Sequence, residues 1–133
     1  MSGNSHAIRS LYASFAAGDI PGVLGLMDEA IVWREAENFP YADGNPYVGH
    51  QAVVEGVFAR CGSEWEGFGA HPDAIHAAGD TVIATGRYSG TWLATGTAMS
   101  PQFVHVWTLR DGKAIAFQQY VDTLAVARAT GAV

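Results

Sequence analysis

Near residue 65 the spacing of apolar residues changes from a helical period to alternation, and that switch limits the fold more than any other feature of the chain. Before it, Ile8, Leu11, Tyr12 and Phe15 recur at i, i+3, i+4 and i+7, the stripe of an amphipathic helix that Gly18-Asp19 ends. A second short helix is predicted near Pro21, a residue tolerated in a first turn, carrying Val23, Leu24, Leu26 and Met27. Ile31-Val32-Trp33 reads as a strand, and Asn38 to Gly49 as a loop broken by Pro40, Asp43-Gly44 and Pro46. A third helix is predicted from about Gln51 to Arg60, with Val53, Val54, Val57 and Phe58 apolar. After the switch, strands are predicted near Glu66–Ala77, Thr81–Thr91, Ala98–Leu109 and Lys113–Val121, with turns at Gly79-Asp80, Thr95-Gly96 and Asp111-Gly112. Helices first and strands after imply an α+β fold, a curved antiparallel sheet around an apolar pocket with the helices on one face.

Register follows if both later turns are two residues long. Across Asp111-Gly112, His105 then faces Gln118 and Phe103 faces Tyr120; across Thr95-Gly96, Tyr88 sits beside Phe103 and Gly86 opposite His105. One sheet face would carry Tyr88, Phe103, His105, Trp107, Gln118, Tyr120 and Asp122, aromatics with a few convergent polar groups, as a small-molecule pocket needs. The other face (Thr85, Arg87, Val104, Val106, Phe117, Gln119, Val121) reads as a surface or a dimer contact.

The chain's 133 residues fit a single domain, 1–133. Hydrophobic residues make up 49% and charged residues 15%, so an interface or a sizeable pocket is expected. No apolar run approaches the roughly 20 residues of a membrane-spanning helix. The stretch Met1 to His6 lacks the basic start and apolar run of a signal peptide, and Cys61 is alone, so a cytoplasmic, reducing location is expected. With a formal charge of −6 and seven scattered Lys and Arg, the chain shows no basic footprint for nucleic acid.

Asp122 is the first chemical candidate. A carboxylate at the end of a half-apolar strand loses hydration and becomes a usable base near neutral pH. Asp122-Thr123 also precedes Leu124-Ala125-Val126-Ala127, where an Asp is a favoured helix cap. His105, between Val104 and Val106, reads either as a proton relay or oxyanion donor or as a core histidine satisfied by its neighbours. Asp122 lies four residues past Gln118, roughly 13 Å along a strand, so a direct Asp122–His105 dyad is not expected. Glu35 shares strand parity with Trp33 and points either into the same space or, with Arg34 and Glu37, into solvent. Tyr12 and Trp33, Trp65, Trp92 and Trp107 are core aromatics or ligand platforms. His71 and His76 have no metal-pair spacing, no Cys/His cluster exists, and no phosphate-loop spacing occurs among the 16 glycines, so neither a metal nor another cofactor is expected.

The segments Tyr12 to Asp19 running into Leu26 to Trp33, then Gly49 to Val53, then His105 to Lys113 leading to Tyr120-Val121-Asp122-Thr123, follow one another in an order that resembles the nuclear transport factor 2-like superfamily. Within it the chain resembles the SnoaL-like, ketosteroid-isomerase-related group, over nearly its whole length. The resemblance implies a cone-shaped domain, usually a homodimer, with three N-terminal helices on the concave face of the sheet and an apolar cavity between. In SnoaL-like cyclases an aspartate ending the last long strand is the base; Asp122 matches it, and His105 matches a cavity histidine. In ketosteroid isomerases the base follows the second helix, where Glu35 stands. Their oxyanion tyrosine aligns nearer Leu11, leaving Tyr12 one position on and turned by about 100°, and their buried aspartate is replaced by Val104 or His105. The family's epoxide hydrolases use Asp-Arg-Asp, and Arg87 lies on the wrong face for that.

The favoured expectation is a cofactor-independent enzyme acting on a small, largely apolar carbonyl compound, with Asp122 or Glu35 as base, His105 polarising the carbonyl, and Tyr12, Trp33, Tyr88, Phe103, Trp107, Gln118 and Tyr120 around the ligand. The alternatives are a non-catalytic binding module and a dimerising domain whose cavity is filled by its own side chains.

Overall fold

A computed structural model describes residues 3–133. Met1 and Ser2, part of the N-terminal stretch read above for a signal peptide, lie outside the described residues. Helix α1 (Gly3–Ala16) buries Ile8, Leu11 and Tyr12, the stripe its spacing dictates. Asp19 then caps α2 (Ile20–Gly25), its Oδ1 accepting the Gly22 N–H at 3.0 Å, with Pro21 in the first turn. Strand β1 (Met27–Arg34) follows, then a 3₁₀ turn at Pro40–Gly44 and the short β2 (Tyr47–Val48).

The third predicted helix is longer than its apolar pattern suggests. It runs as α3 (His50–Val53), a π-helical turn (Val54–Phe58) and α4 (Ala59–Glu64) without a break. Gly56 sits in the π turn because the Tyr47 ring fills the space above it; a Cβ there would lie 2.1 Å from a ring carbon.

Strands β3 (Trp65–Ala78), β4 (Thr81–Trp92), β5 (Thr97–Met99), β6 (Gln102–Arg110) and β7 (Lys113–Val121) make the rest of a seven-stranded sheet in the order β2-β1-β7-β6-β4-β3, with β5 on β4. The architecture is the expected α+β one, with two corrections. The sheet is mixed, because β1 runs parallel to β7 while the other pairs are antiparallel. The strand expected over Ala98–Leu109 is two strands, interrupted at Ser100-Pro101, where Pro101 has no N–H for a ladder.

Register decides which side chains meet. Asp111 (φ 53) and Gly112 (φ 77) form the tight turn expected between β6 and β7. Arg110 pairs with Lys113 and Leu109 with Ala114, as that turn requires, but a bulge at Ile115 then moves the pairing by one residue. His105 therefore faces Gln119, not Gln118, and Phe103 faces Val121, not Tyr120. Beyond the bulge every side chain changes face. Phe117 and Gln119 turn inward, while Tyr120 is 55% exposed. The β4–β6 connection also differs. Its turn spans four residues, Leu93–Gly96, so Ala84 rather than Gly86 faces His105. A shift of two preserves the alternation, and Tyr88, Phe103, His105 and Trp107 remain buried on one face.

Two further irregularities, after Glu66 and after Pro72, interrupt β3 and curl the sheet around the helices. Helix α5 (Thr123–Thr130) closes the chain against β4 and β5, burying Val126 and Ala129. Among the described residues, no helix is long and apolar enough to cross a membrane.

Candidate active site

Between the inner sheet face and α1, the π turn and α4 lies a cavity of about 50 Å3. Its walls are almost wholly apolar (Leu11, Phe15, Trp33, Phe39, Val57, Phe58, Phe68 and Phe117 among them), and its polar groups are Tyr12, Glu35, Cys61, Tyr88, His105 and Gln119. The volume holds a few water molecules or a small fragment, well under the roughly 300 Å3 at the low end of drug-sized pockets.

Glu35 enters this cavity just past the end of β1. Its backbone is gripped from both sides by one side chain: Glu35 N–H donates to Asn45 Oδ1 and Asn45 Nδ2 donates to the Glu35 carbonyl, each at 2.8 Å. The carboxyl is only 3% exposed and takes one side-chain hydrogen bond, from Trp33 Nε1 to Oε2 at 3.1 Å. Burial raises its pKa from 4.5 to about 7, against the smaller opposing pulls of the Trp33 N–H and the Arg60 charge. The solvated alternative for Glu35 is thereby replaced by a buried one. Trp33 is held by stacking on Phe117 at 3.8 Å between centroids and by an edge contact to Trp107.

His105 sits on the opposite side of the network, 4% exposed, its ring stacked on Phe103 at 4.0 Å. Tyr12 Oη lies 2.5 Å from Nδ1 and Tyr88 Oη 2.5 Å from Nε2. Trp107 Nε1 donates to Tyr12 at 3.1 Å, Gln119 Nε2 donates to Tyr88 at 2.8 Å, and Gln119 Oε1 accepts the Ala36 N–H at 3.0 Å. Burial without a carboxylate partner lowers the His105 pKa to about 3, so the ring is neutral at any ordinary pH. Burial likewise raises both tyrosines. The arrangement thus supplies one weakly acidic carboxyl, two protonated phenols and a neutral imidazole inside apolar walls.

Of the residues expected at the site, Tyr12, Trp33, Glu35, Tyr88 and His105 line the cavity. Phe103 and Trp107 stand behind His105 and Tyr12 as support. Gln118, Tyr120 and Asp122 do not reach it, because the Ile115 bulge puts the end of β7 on the other parity. Asp122 is exposed and caps α5, its Oδ1 accepting the Ala125 N–H at 3.2 Å. Gln119 and Phe117 are the cavity-lining positions that sequence reasoning assigned to the wrong face. Their signal was the run Ala114-Ile115-Ala116-Phe117, apolar at consecutive positions, which no single alternation can bury. Among the described residues, no three His, Cys, Asp or Glu side chains are grouped to hold a metal ion.

A SnoaL-like domain family model matches residues 8–117, and the chain belongs to that family. It is similar to the crystal structure of a nuclear transport factor 2-like protein from Burkholderia thailandensis, 39% identical, with 97% of this chain and 98% of that one covered at a TM-score of 0.91. It is also similar to TerC co-crystallized with polyporic acid, 33% identical over 98% of this chain and 99% of that one, TM-score 0.87. A protein of ketosteroid isomerase-like fold from Catenulispora acidiphila, in complex with trimethylamine, shares the fold at 17% identity and a TM-score of 0.78, over 94% and 92% of the two chains. No curated protein matches.

Proposed function

We propose that this chain is a cofactor-independent proton-transfer enzyme of the isomerase or cyclase kind, acting on a small apolar carbonyl compound. The observation that carries this reading is Glu35: a buried carboxyl in an apolar cavity, with a pKa of about 7 and one hydrogen bond to hold it. Ionised Glu35 removes a proton from the carbon beside the carbonyl. The C–H electron pair moves into the new C–C double bond, and the carbonyl oxygen becomes an enolate stabilised by a tyrosine O–H. The carboxylic acid so formed returns its proton, to the same carbon or to another. That a relative 33% identical was crystallised with polyporic acid supports a small-molecule occupant.

The cavity volume favours a small substrate such as a cyclic enone over a polycyclic one, or movement of Phe15, Phe58 and Phe68 on binding. The same volume supports a second reading, in which the cavity is filled by its own side chains and has no substrate. Pairing into a homodimer fits the outer sheet face, where Ile83 and Tyr120 expose apolar surface.

The test is hydrogen–deuterium exchange at C6, the saturated α-carbon of 2-cyclohexenone, in D2O, followed by NMR. The proton-transfer reading expects catalysed exchange that Glu35→Gln lowers by about 10²–10⁴-fold. Exchange no faster than in buffer gives the ground to the self-filled cavity, and catalysed exchange unaltered in Glu35→Gln overturns Glu35 as the base.

A further inference from the structure

Both ends of the buried chain Trp107–Tyr12–His105–Tyr88–Gln119 are fixed donors. An indole nitrogen can only donate, and that of Trp107 points at Tyr12. Gln119 has its orientation set from outside, because its Oε1 takes the Ala36 backbone N–H and so leaves Nε2 to face Tyr88. Between these ends, Tyr12, His105 and Tyr88 make two contacts with one another. A neutral imidazole has one N–H and one bare nitrogen, so it donates to one tyrosine and accepts from the other. Three protons serve two contacts, and one tyrosine O–H is left over in either tautomer. If Nε2 carries the proton, Tyr88 accepts from both Gln119 and His105, and its own O–H is free. If Nδ1 carries it, the same holds for Tyr12. Both hydroxyls belong to cavity-lining residues, and among the described residues no carboxylate oxygen hydrogen-bonds to either of them, while Glu35, in the same cavity, acts on Tyr88 through its charge.

We propose that His105 is a positioning residue that leaves the cavity one unclaimed tyrosine O–H, on Tyr12 or Tyr88 according to its tautomer, so that the ligand taken up presents a hydrogen-free oxygen: a ketone, aldehyde or quinone carbonyl, or the enolate made from one. The inference deepens the proton-transfer reading and rests on it for the ligand's fate, though not for its recognition. The tyrosine that keeps the spare proton has both lone pairs occupied, so it can only donate. A ligand lacking an acceptor would leave that O–H unpaired in an apolar cavity, which costs binding. A carbonyl oxygen satisfies it, and the tautomer that frees the nearer tyrosine is the one the ligand favours. A fixed pair of donors would demand one ligand orientation, whereas this arrangement accepts the oxygen at either end.

Benzaldehyde labelled with 13C at the carbonyl tests the proposal, because it has an acceptor oxygen and no α-proton for Glu35 to remove. Its result therefore stands apart from whether Glu35 is a base. We expect it to bind with its carbonyl resonance moved downfield. Tyr12→Phe and Tyr88→Phe should each bind it within about twofold of the parent, since the other tyrosine then supplies the donor, while the double variant loses about fivefold or more together with the carbonyl shift. One single variant equal to the double would mean a dedicated donor and overturn the proposal. So would a double variant that binds like the parent, or a parent that does not bind. Independently of any tyrosine variant, 15N spectra of the histidine-labelled chain, with His105 assigned by the resonances missing in His105→Gln, should show one protonated and one bare ring nitrogen, or their average, from pH 5 to 8. Two protonated nitrogens in that range would refute the proton count.

Discussion

Two carboxylates stand just past the ends of neighbouring parallel strands, Glu35 after β1 and Asp122 after β7, and their surroundings give them opposite chemistry. Glu35 is enclosed, held at its backbone by Asn45, and keeps one donor on its carboxyl. Asp122 is exposed, and its oxygen is spent on the first turn of α5. Residue type and strand position are nearly the same for both. The difference is how many backbone N–H groups need an acceptor nearby: β7 runs directly into a helix whose first turn has unpaired donors, whereas β1 runs into a loop whose needs Asn45 meets.

The largest expected effect separates these two carboxylates by rate. Glu35→Gln should lower α-proton exchange by the factor given above, whereas Asp122→Asn, which retains a capping oxygen, should leave it unchanged; a loss in Asp122→Asn would break the comparison. Next comes stability against pH. Below pH 4.5 Glu35 is protonated in both folded and unfolded chains, and its ionisation contributes nothing. Between 4.5 and about 7 the unfolded chain releases this proton first, so folding stability falls as pH rises, and above about 7 the full penalty applies. Urea denaturation should therefore show Glu35→Gln gaining on the parent between pH 5 and pH 8, by an amount on the order of 3 kcal/mol at the upper end. A gap that is constant with pH would mean that Glu35 is not buried in solution.

Smaller effects sharpen the contrast. Asn45→Ala should cost about 1–2 kcal/mol from its two lost hydrogen bonds. By loosening the enclosure it should also move the midpoint of the exchange–pH profile below about 7, towards the ordinary carboxylate range. Asp122→Ala should cost about 1 kcal/mol by thermal or urea denaturation, the worth of a helix cap, with no change in that midpoint.

The parts of this molecule legible in its sequence are those fixed by neighbours in the chain. The stripe Ile8, Leu11, Tyr12 of α1, the Asp111-Gly112 turn and the inward set Tyr88, Phe103, His105 and Trp107 all follow from local period and turn chemistry. The parallel pairing of β1 with β7 did not, because it joins segments some eighty residues apart and leaves no turn between them to read. Nor did the enclosure of Glu35, which depends on Asn45 ten residues on and on a cavity wall drawn from both halves of the chain. The Ile115 bulge was hidden for a third reason. The hairpin turn follows from Asp111-Gly112, but the extra residue comes immediately after the first two pairs that turn sets.

That bulge makes the composition of the cavity wall a matter of pairing as well as of residue identity. Ile115 acts as a frame marker for the second half of β7: set out of the ladder, it leaves Phe117 and Gln119 facing the interior; paired in the ladder, it would turn Gln118 and Tyr120 inward instead. Loss of the Ile115 codon would close the bulge and leave Phe117 and Gln119 opposite the same partners, whereas drawing Ile115 back into the ladder would exchange alternate residues of the wall at once, including the amide that orients Tyr88, with the hairpin turn and the strand order as they are.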